Sequence, residues 1–222
     1  MSDAAGTAVA AQPAAPRTAP RRPILRSGRL PAPVLVAYAM ALALLVGFGS
    51  AYWVLKGEYP VGSVRIGPWT TWPKIGSREA DPYARAVVAR SGDVPLGVGE
   101  GLAFVASVDS AGRDLDASCS YRVGSMTPQA RYWTLTVYDA DRRPARTDLG
   151  RSGMTSAEIL RRDDGSFLVE LSRTVRPGNW LQLPSSASFT LILRLYDTPV
   201  AAGSAALDAR VLPSIERGEC GA

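Results

Sequence analysis

No histidine occurs anywhere in this sequence. Its absence removes Ser-His-Asp and Cys-His activation of a nucleophile, and with them the commonest metal ligand. Hydrolysis would then rest on paired carboxylates, as in glycosidases. The available pairs are Asp139 with Asp141, Asp163 with Asp164, and Asp114 with Asp116. All stand in turn-like sequence, where Asp is favoured because its side chain bonds the backbone nearby. Asp139-Ala140-Asp141 opens like a calcium loop but continues into Arg142-Arg143 rather than further oxygen ligands. Gly97-Val98-Gly99-Glu100-Gly101 is followed by no Lys-Ser or Lys-Thr, so it lacks the phosphate-binding pattern. A lysine-activated Ser or Thr has only Lys56 and Lys74 to draw on. Two cysteines, Cys119 and Cys220, are too few for a cysteine-only zinc site. No catalytic residue, metal or cofactor is therefore assigned.

The strongest binding candidate is Arg176-Pro177-Gly178-Asn179-Trp180. Pro-Gly sets a turn, Asn179 offers an amide, Arg176 a cation and Trp180 a flat ring. Such a set suits a sugar or peptide, with apolar contact from the ring and orientation from the polar groups. Tyr138, Arg194 and Tyr196 join this surface if the two strongest strands are neighbours, because they lie opposite the main apolar faces. The structural alternative is that Trp180 plugs one end of the domain and Arg194 pairs with an acid.

The elements that must position these residues are mostly strands. In Tyr132–Tyr138, Trp133, Leu135 and Val137 share one face; in Phe189–Tyr196, Phe189, Leu191, Leu193 and Leu195 do so. Ser166–Ser172 alternates likewise through Phe167, Val169 and Leu171. Weaker strands fit Leu102–Val108, Ala117–Val123, Ser156–Arg161 and Ala206–Leu212. Asp109-Ser110-Ala111-Gly112 and Asp163-Asp164-Gly165 read as hairpin turns. One helix is expected, opened by Asp81 at the N-cap and Pro82 in the first turn and stopped at Gly92. The fold class is mainly β: an antiparallel sandwich or jelly-roll-like domain with one short N-terminal helix, preceded by a single transmembrane helix.

That helix is residues 34–55, 22 positions without a charge. At about 1.5 Å per residue it spans about 33 Å, enough for the ~30 Å hydrocarbon layer. Tyr52 and Trp53 mark its far interface. Five arginines precede it (Arg17, Arg21, Arg22, Arg26, Arg29) against one acid, Asp3. The positive-inside rule puts that end in the cytoplasm. A cleaved signal peptide is the competing reading, although its apolar core is usually about 7–15 residues. Beyond the span, 20 basic residues face 19 acidic ones, so +4 of the net charge of +5 lies in the tail and +1 beyond it. Net charge gives the domain no basis for binding nucleic acid, which leaves only a local patch. Four segments follow: residues 1–33, a disordered Pro/Ala/Arg-rich cytoplasmic tail; 34–55, embedded in the lipid bilayer; 56–78, a Gly/Pro/Trp connector holding Trp69 and Trp72; and 79–222, the β domain. Val61–Ile66 is a short strand in that connector. The two tryptophans either form an exposed platform or pin the connector to the core. On the oxidising side of the membrane Cys119 and Cys220 can pair; otherwise they are two unrelated buried thiols.

Several motifs carry a family resemblance. They are Asp81-Pro82-Tyr83-Ala84-Arg85-Ala86, Pro95-Leu96-Gly97, Ala130–Asp139, Thr155-Ser156-Ala157-Glu158, Asp164-Gly165-Ser166-Phe167, Pro177–Leu181 and Leu193-Arg194-Leu195-Tyr196. Together, over roughly residues 68–220, they resemble the bacterial domain-of-unknown-function 1214 family, in particular its small single-span members. The resemblance implies an envelope protein with a β-rich domain; the apolar span and its flanking arginines are what hold it at the inner membrane with its C-terminal part periplasmic. It implies no activity. The expectation is a non-catalytic module that binds an envelope protein or a glycan. The alternatives are an envelope polysaccharide-acting enzyme of unfamiliar type, or a structural role in a membrane complex.

Overall fold

The computed structural model describes residues 31–56, 62–91, 94–97, 99–126, 129–199 and 212–221. The expected tail, except for its last three positions, lies outside these residues, as do the Gly92 stop and most of the strand expected over Ala206–Leu212. Helix α1 covers Ala32–Lys56. A stretch of it, Ala32–Trp53, is long and apolar enough to cross a membrane. The side chains described there are almost all exposed, as expected of a helix that is apolar on every side.

The second unit is a sandwich of two sheets. Strands β1 (Val64–Ile66), β2 (Trp69–Thr71), β3 (Gly101–Ala106), β5 (Tyr132–Tyr138), β6 (Gly153–Thr155) and β9 (Thr190–Tyr196) form one sheet, in the order β1-β2-β3-β9-β5-β6. Strands β4 (Cys119–Ser125), β7 (Phe167–Ser172), β8 (Asn179–Gln182) and β10 (Ser214–Cys220) form the other, in the order β10-β4-β7-β8. The period-two faces read from the sequence meet between them. Trp133, Leu135, Leu193 and Phe104 from the first sheet pack with Tyr121, Val169, Leu171 and Ile215 from the second, all with almost no exposed surface. Rings bridge the layers: Trp133 lies 4.9 Å from Phe167.

The two strongest strands are neighbours, β5 pairing antiparallel with β9 from Tyr132↔Tyr196 to Tyr138↔Thr190. Pairing is antiparallel throughout except for β7 with β8, which run parallel. The connector is partly sheet. β1 and β2 form a hairpin joined to β3, and buried Trp69 donates its indole N–H to Pro213 O at 2.7 Å. For Trp69, the pin is the correct reading.

Residues 156–161, expected as a strand, form no ladder: 156–158 are a turn, 159–160 are irregular, and Arg161 makes only an isolated antiparallel bridge with Phe167. The neighbouring backbone is served by side chains: Glu158 accepts the Thr155 N–H, and Asn179 bonds both the N–H and the C=O of Leu160. With those groups satisfied, no strand partner is needed. Cys119 and Cys220 are bonded, and they stand opposite one another where β4 meets β10.

Candidate functional site

The expected surface divides into two separate places. Asn179 and Trp180 do not sit in an open loop: both lie in β8, buried in the four-stranded sheet. The Asn179 amide accepts from Leu160 N at 2.7 Å and donates to Leu160 O and Leu168 O at 2.8 and 2.9 Å. The Trp180 indole N–H is donated to Ser172. With 4 % of its surface exposed, the Trp180 ring offers no platform for a sugar. Gly178, with φ 82, makes the turn before them, and Arg176 is exposed in the preceding loop.

Tyr138, Arg194 and Tyr196 share the side of the other sheet that faces away from the core, but Tyr196 stands opposite Tyr132, at the far end of the β5–β9 ladder from Tyr138. Arg194 donates to the Tyr138 hydroxyl at 3.1 Å, and its guanidinium lies 5.6 Å from the centroid of that ring. Tyr196 packs on Tyr132 at 5.9 Å. The expected acid partner of Arg194 is missing: among the described residues no carboxylate lies within ion-pair distance of it.

Arg194 and Tyr138 border a groove of about 180 Å³. Its floor is the outer side of β3 and β9, where Gly101, Ala103, Val105 and Ile192 present small or apolar groups. The far wall is helix α2 (Pro82–Ser91), through Ala84 and Val88, together with Val94, Pro95 and Leu96. Trp72, Pro73 and Ile75 of the connector complete it.

Local sequence explains each wall. Asp81 caps α2, accepting the Tyr83 N–H at 2.8 Å. Arg85 donates back to Ala80 O and Arg78 O, fastening the connector to the helix. At Gly76 the connector passes so close to residues 96–97 that a Cβ would stand 2.0 Å from Leu96 O. At Gly101 a Cβ would meet Leu195 O at the same distance.

The groove's outer corner is a turn read from sequence as a carboxylate pair. Asp139 accepts the backbone N–H groups of Asp141 and Arg143 at 3.0 Å each. Arg142, between them, takes a left-handed backbone, φ 58, and lines the groove. The other pairs serve turns in the same way. Asp164 accepts the Ser166 N–H, and its hydrogen bonds to Ser166 hold the carboxyl below its ordinary value. Asp116 does the same with Ser118.

The carboxylate that sequence reasoning missed is Asp109, which is 1 % exposed. Burial pushes its carboxyl up, but hydrogen bonds from Arg113 and Ala111 outweigh that and leave it below its ordinary value. Arg217 of β10 lies 3.5 Å away, so Asp109 anchors the last strand and has no exposed face for a substrate. Its place at the head of Asp109-Ser110-Ala111-Gly112 was the available signal, and composition alone gives that turn no buried role.

Residues 100–200, from just before β3 to just after β9, match the sequence profile of the family described as "Protein of unknown function (DUF1214)". The match includes the groove floor, Tyr138 and Arg194, and is narrower than the roughly 68–220 covered by the motif resemblance. No curated protein matches the chain. The crystal structure of the VPA0106 protein from Vibrio parahaemolyticus is similar, with a TM-score of 0.51 and 22% identity over 62% of this chain. That of an uncharacterised protein from Burkholderia cenocepacia has a TM-score of 0.39 and 20% identity over 82% of this chain. This chain covers 36% of the first protein and 53% of the second. The likeness to the Vibrio protein is one of fold.

Proposed function

We propose that this chain, whose residues 100–200 resemble a family of unknown function, is a membrane-tethered binding module of the bacterial envelope. Its β domain works on the oxidising side of the inner membrane, and its ligand seat is the groove beneath α2. The observation that carries this reading is the groove itself: a concave apolar surface bordered by a few polar side chains, the usual form of a small-molecule site. Its location is supported by the apolar helix near the N-terminus and by the Cys119–Cys220 bond, which persists where thiols are not kept reduced. Binding is favoured over hydrolysis because one member of each candidate carboxylate pair is engaged with backbone N–H groups. The buried Trp180 also shifts the expected contact surface from β8 to the groove.

Two measurements test the proposal. A phosphatase reporter that folds only where disulfides form, fused after residue 222, should be active; an inactive phosphatase fusion together with a fluorescent-protein fusion at the same position that glows in the cytosol removes the envelope role. In full-length protein reconstituted in nanodiscs, Ala103→Leu fills the groove floor without touching the core. It should abolish saturable uptake of small apolar probes while the melting temperature stays near wild type. Uptake unchanged by that substitution rules out the groove.

A further inference from the structure

We infer that the groove's ligand is a small amphipathic carboxylate: one apolar body, no larger than a substituted benzene ring or a short alkyl chain, carrying a single carboxylate. This rests on the groove being the binding site and goes further by naming what it holds.

Size comes first. At about 180 Å³ the groove is close to the ~150 Å³ of an apolar cavity that accepts benzene. It is smaller than the ~300 Å³ at which pockets for larger molecules begin. Charge comes second. Arg194 and Arg142 both line the groove, no carboxylate does, and among the described residues neither guanidinium has an acid partner. Half-buried Arg194, without counter-charge beside apolar walls, favours an anion because the low-polarity surroundings strengthen the attraction, and exposed Arg142 adds a weaker, solvent-screened pull at the rim.

Donor geometry comes third. The Tyr138 oxygen accepts the Arg194 N–H, which leaves the phenol hydrogen free to donate. The remaining guanidinium N–H groups and that O–H make a compact donor set of the kind a carboxylate takes with two oxygens. The guanidinium is steadied over the Tyr138 ring, so little freedom is lost on binding. Arg142 adds a second cation, held at the rim by the Asp139 turn in a backbone conformation that arginine rarely adopts. The small side chains beside Arg194, Gly101 and Ala103 on β3, leave the space that the apolar body fills.

The test titrates full-length protein in nanodiscs by calorimetry, with empty nanodiscs subtracted. The probes are 4-ethylbenzoate, neutral 4-ethylbenzyl alcohol, cationic 4-ethylbenzylamine and acetate. The benzoate should bind once per chain, the alcohol more weakly, and the amine and acetate not measurably. Arg194→Gln should weaken the benzoate by about 10- to 100-fold, the loss of a hydrogen-bonded charge, and leave the alcohol unchanged. Arg142→Gly removes the rim charge and relieves its left-handed backbone. It should weaken the benzoate about 2- to 5-fold while the melting temperature holds or rises. Equal affinity for benzoate and alcohol, or a benzoate affinity untouched by Arg194→Gln, overturns the carboxylate and leaves the groove standing if Ala103→Leu still blocks both. If none of the four probes binds, the groove and the carboxylate fall together.

Discussion

Asn179 offers a direct test of whether its segment is a surface or a structural joint. Its amide makes three hydrogen bonds, at 2.7, 2.8 and 2.9 Å, to the backbone of Leu160 and Leu168. Asn179→Ala strips one N–H and two C=O groups of that partner at a position 8 % exposed. An unsatisfied buried donor costs about 1–3 kcal/mol, and carbonyls keep a second lone pair and are cheaper to strand. The sum is about 2–4 kcal/mol, or a fall in melting temperature of roughly 5–15 °C for a domain of this size. Asn179→Asp sharpens the argument, because it keeps the acceptor for Leu160 N but turns the donor into an oxygen facing two carbonyl oxygens. The introduced carboxyl has its folded-state pKa raised above the unfolded one. The folded state is therefore relatively favoured at low pH, and that advantage is lost as pH rises through the folded value. At pH 7 this variant should be at least as unstable as Asn179→Ala, and it should recover part of the deficit near pH 4.5. Thermal unfolding of the full chain in nanodiscs, followed by tryptophan fluorescence at both pH values, reads the outcome. A wild-type melting temperature for Asn179→Ala would refute the structural role.

Two further outcomes follow from features of the second sheet. Removing the Cys119–Cys220 bond by paired Ser substitution should cost about 4–5 kcal/mol on the chain-entropy estimate for a separation of 101 residues; an unchanged urea midpoint would count against it. Asp109 has a folded pKa depressed below 3.8, so its contribution is present above about pH 3.8 and is lost as pH falls through the folded value. Asp109→Asn should therefore destabilise by about 1–3 kcal/mol at pH 7 and converge on wild type in acid; a deficit independent of pH would dismiss the carboxylate's role.

How much of this was legible depends on how each segment is buried. β5, β7 and β9 have one dry and one less buried face, so period two stands out in their residues; that β5 and β9 are neighbours while β7 lies in the other sheet is something alternation does not say. β8 is buried at all four positions, which erases the alternation, and its Arg-Pro-Gly-Asn-Trp lead-in imitates an exposed loop. Residues 156–161 misled in the opposite sense: their composition suits a strand, but a side chain 19 positions away takes the Leu160 backbone groups. Sequence placed Tyr138 and Arg194 on one surface because strand parity decides which side a residue faces. It left the groove unseen, because the walls come from the connector and α2, and the connector's docking depends on a close approach at Gly76 that no periodicity announces. The carboxylates of Asp139, Asp164 and Asp116 were readable as turn formers from their neighbours.

The bond between Cys119 and Cys220 closes residues 119–220 into a covalent ring. A protease that nicks the backbone once anywhere inside that ring opens it without releasing a fragment. The strands that carry Tyr138 and Arg194 thus stay on one molecule after a single cut, and the damage becomes visible as two pieces only when a reductant is added.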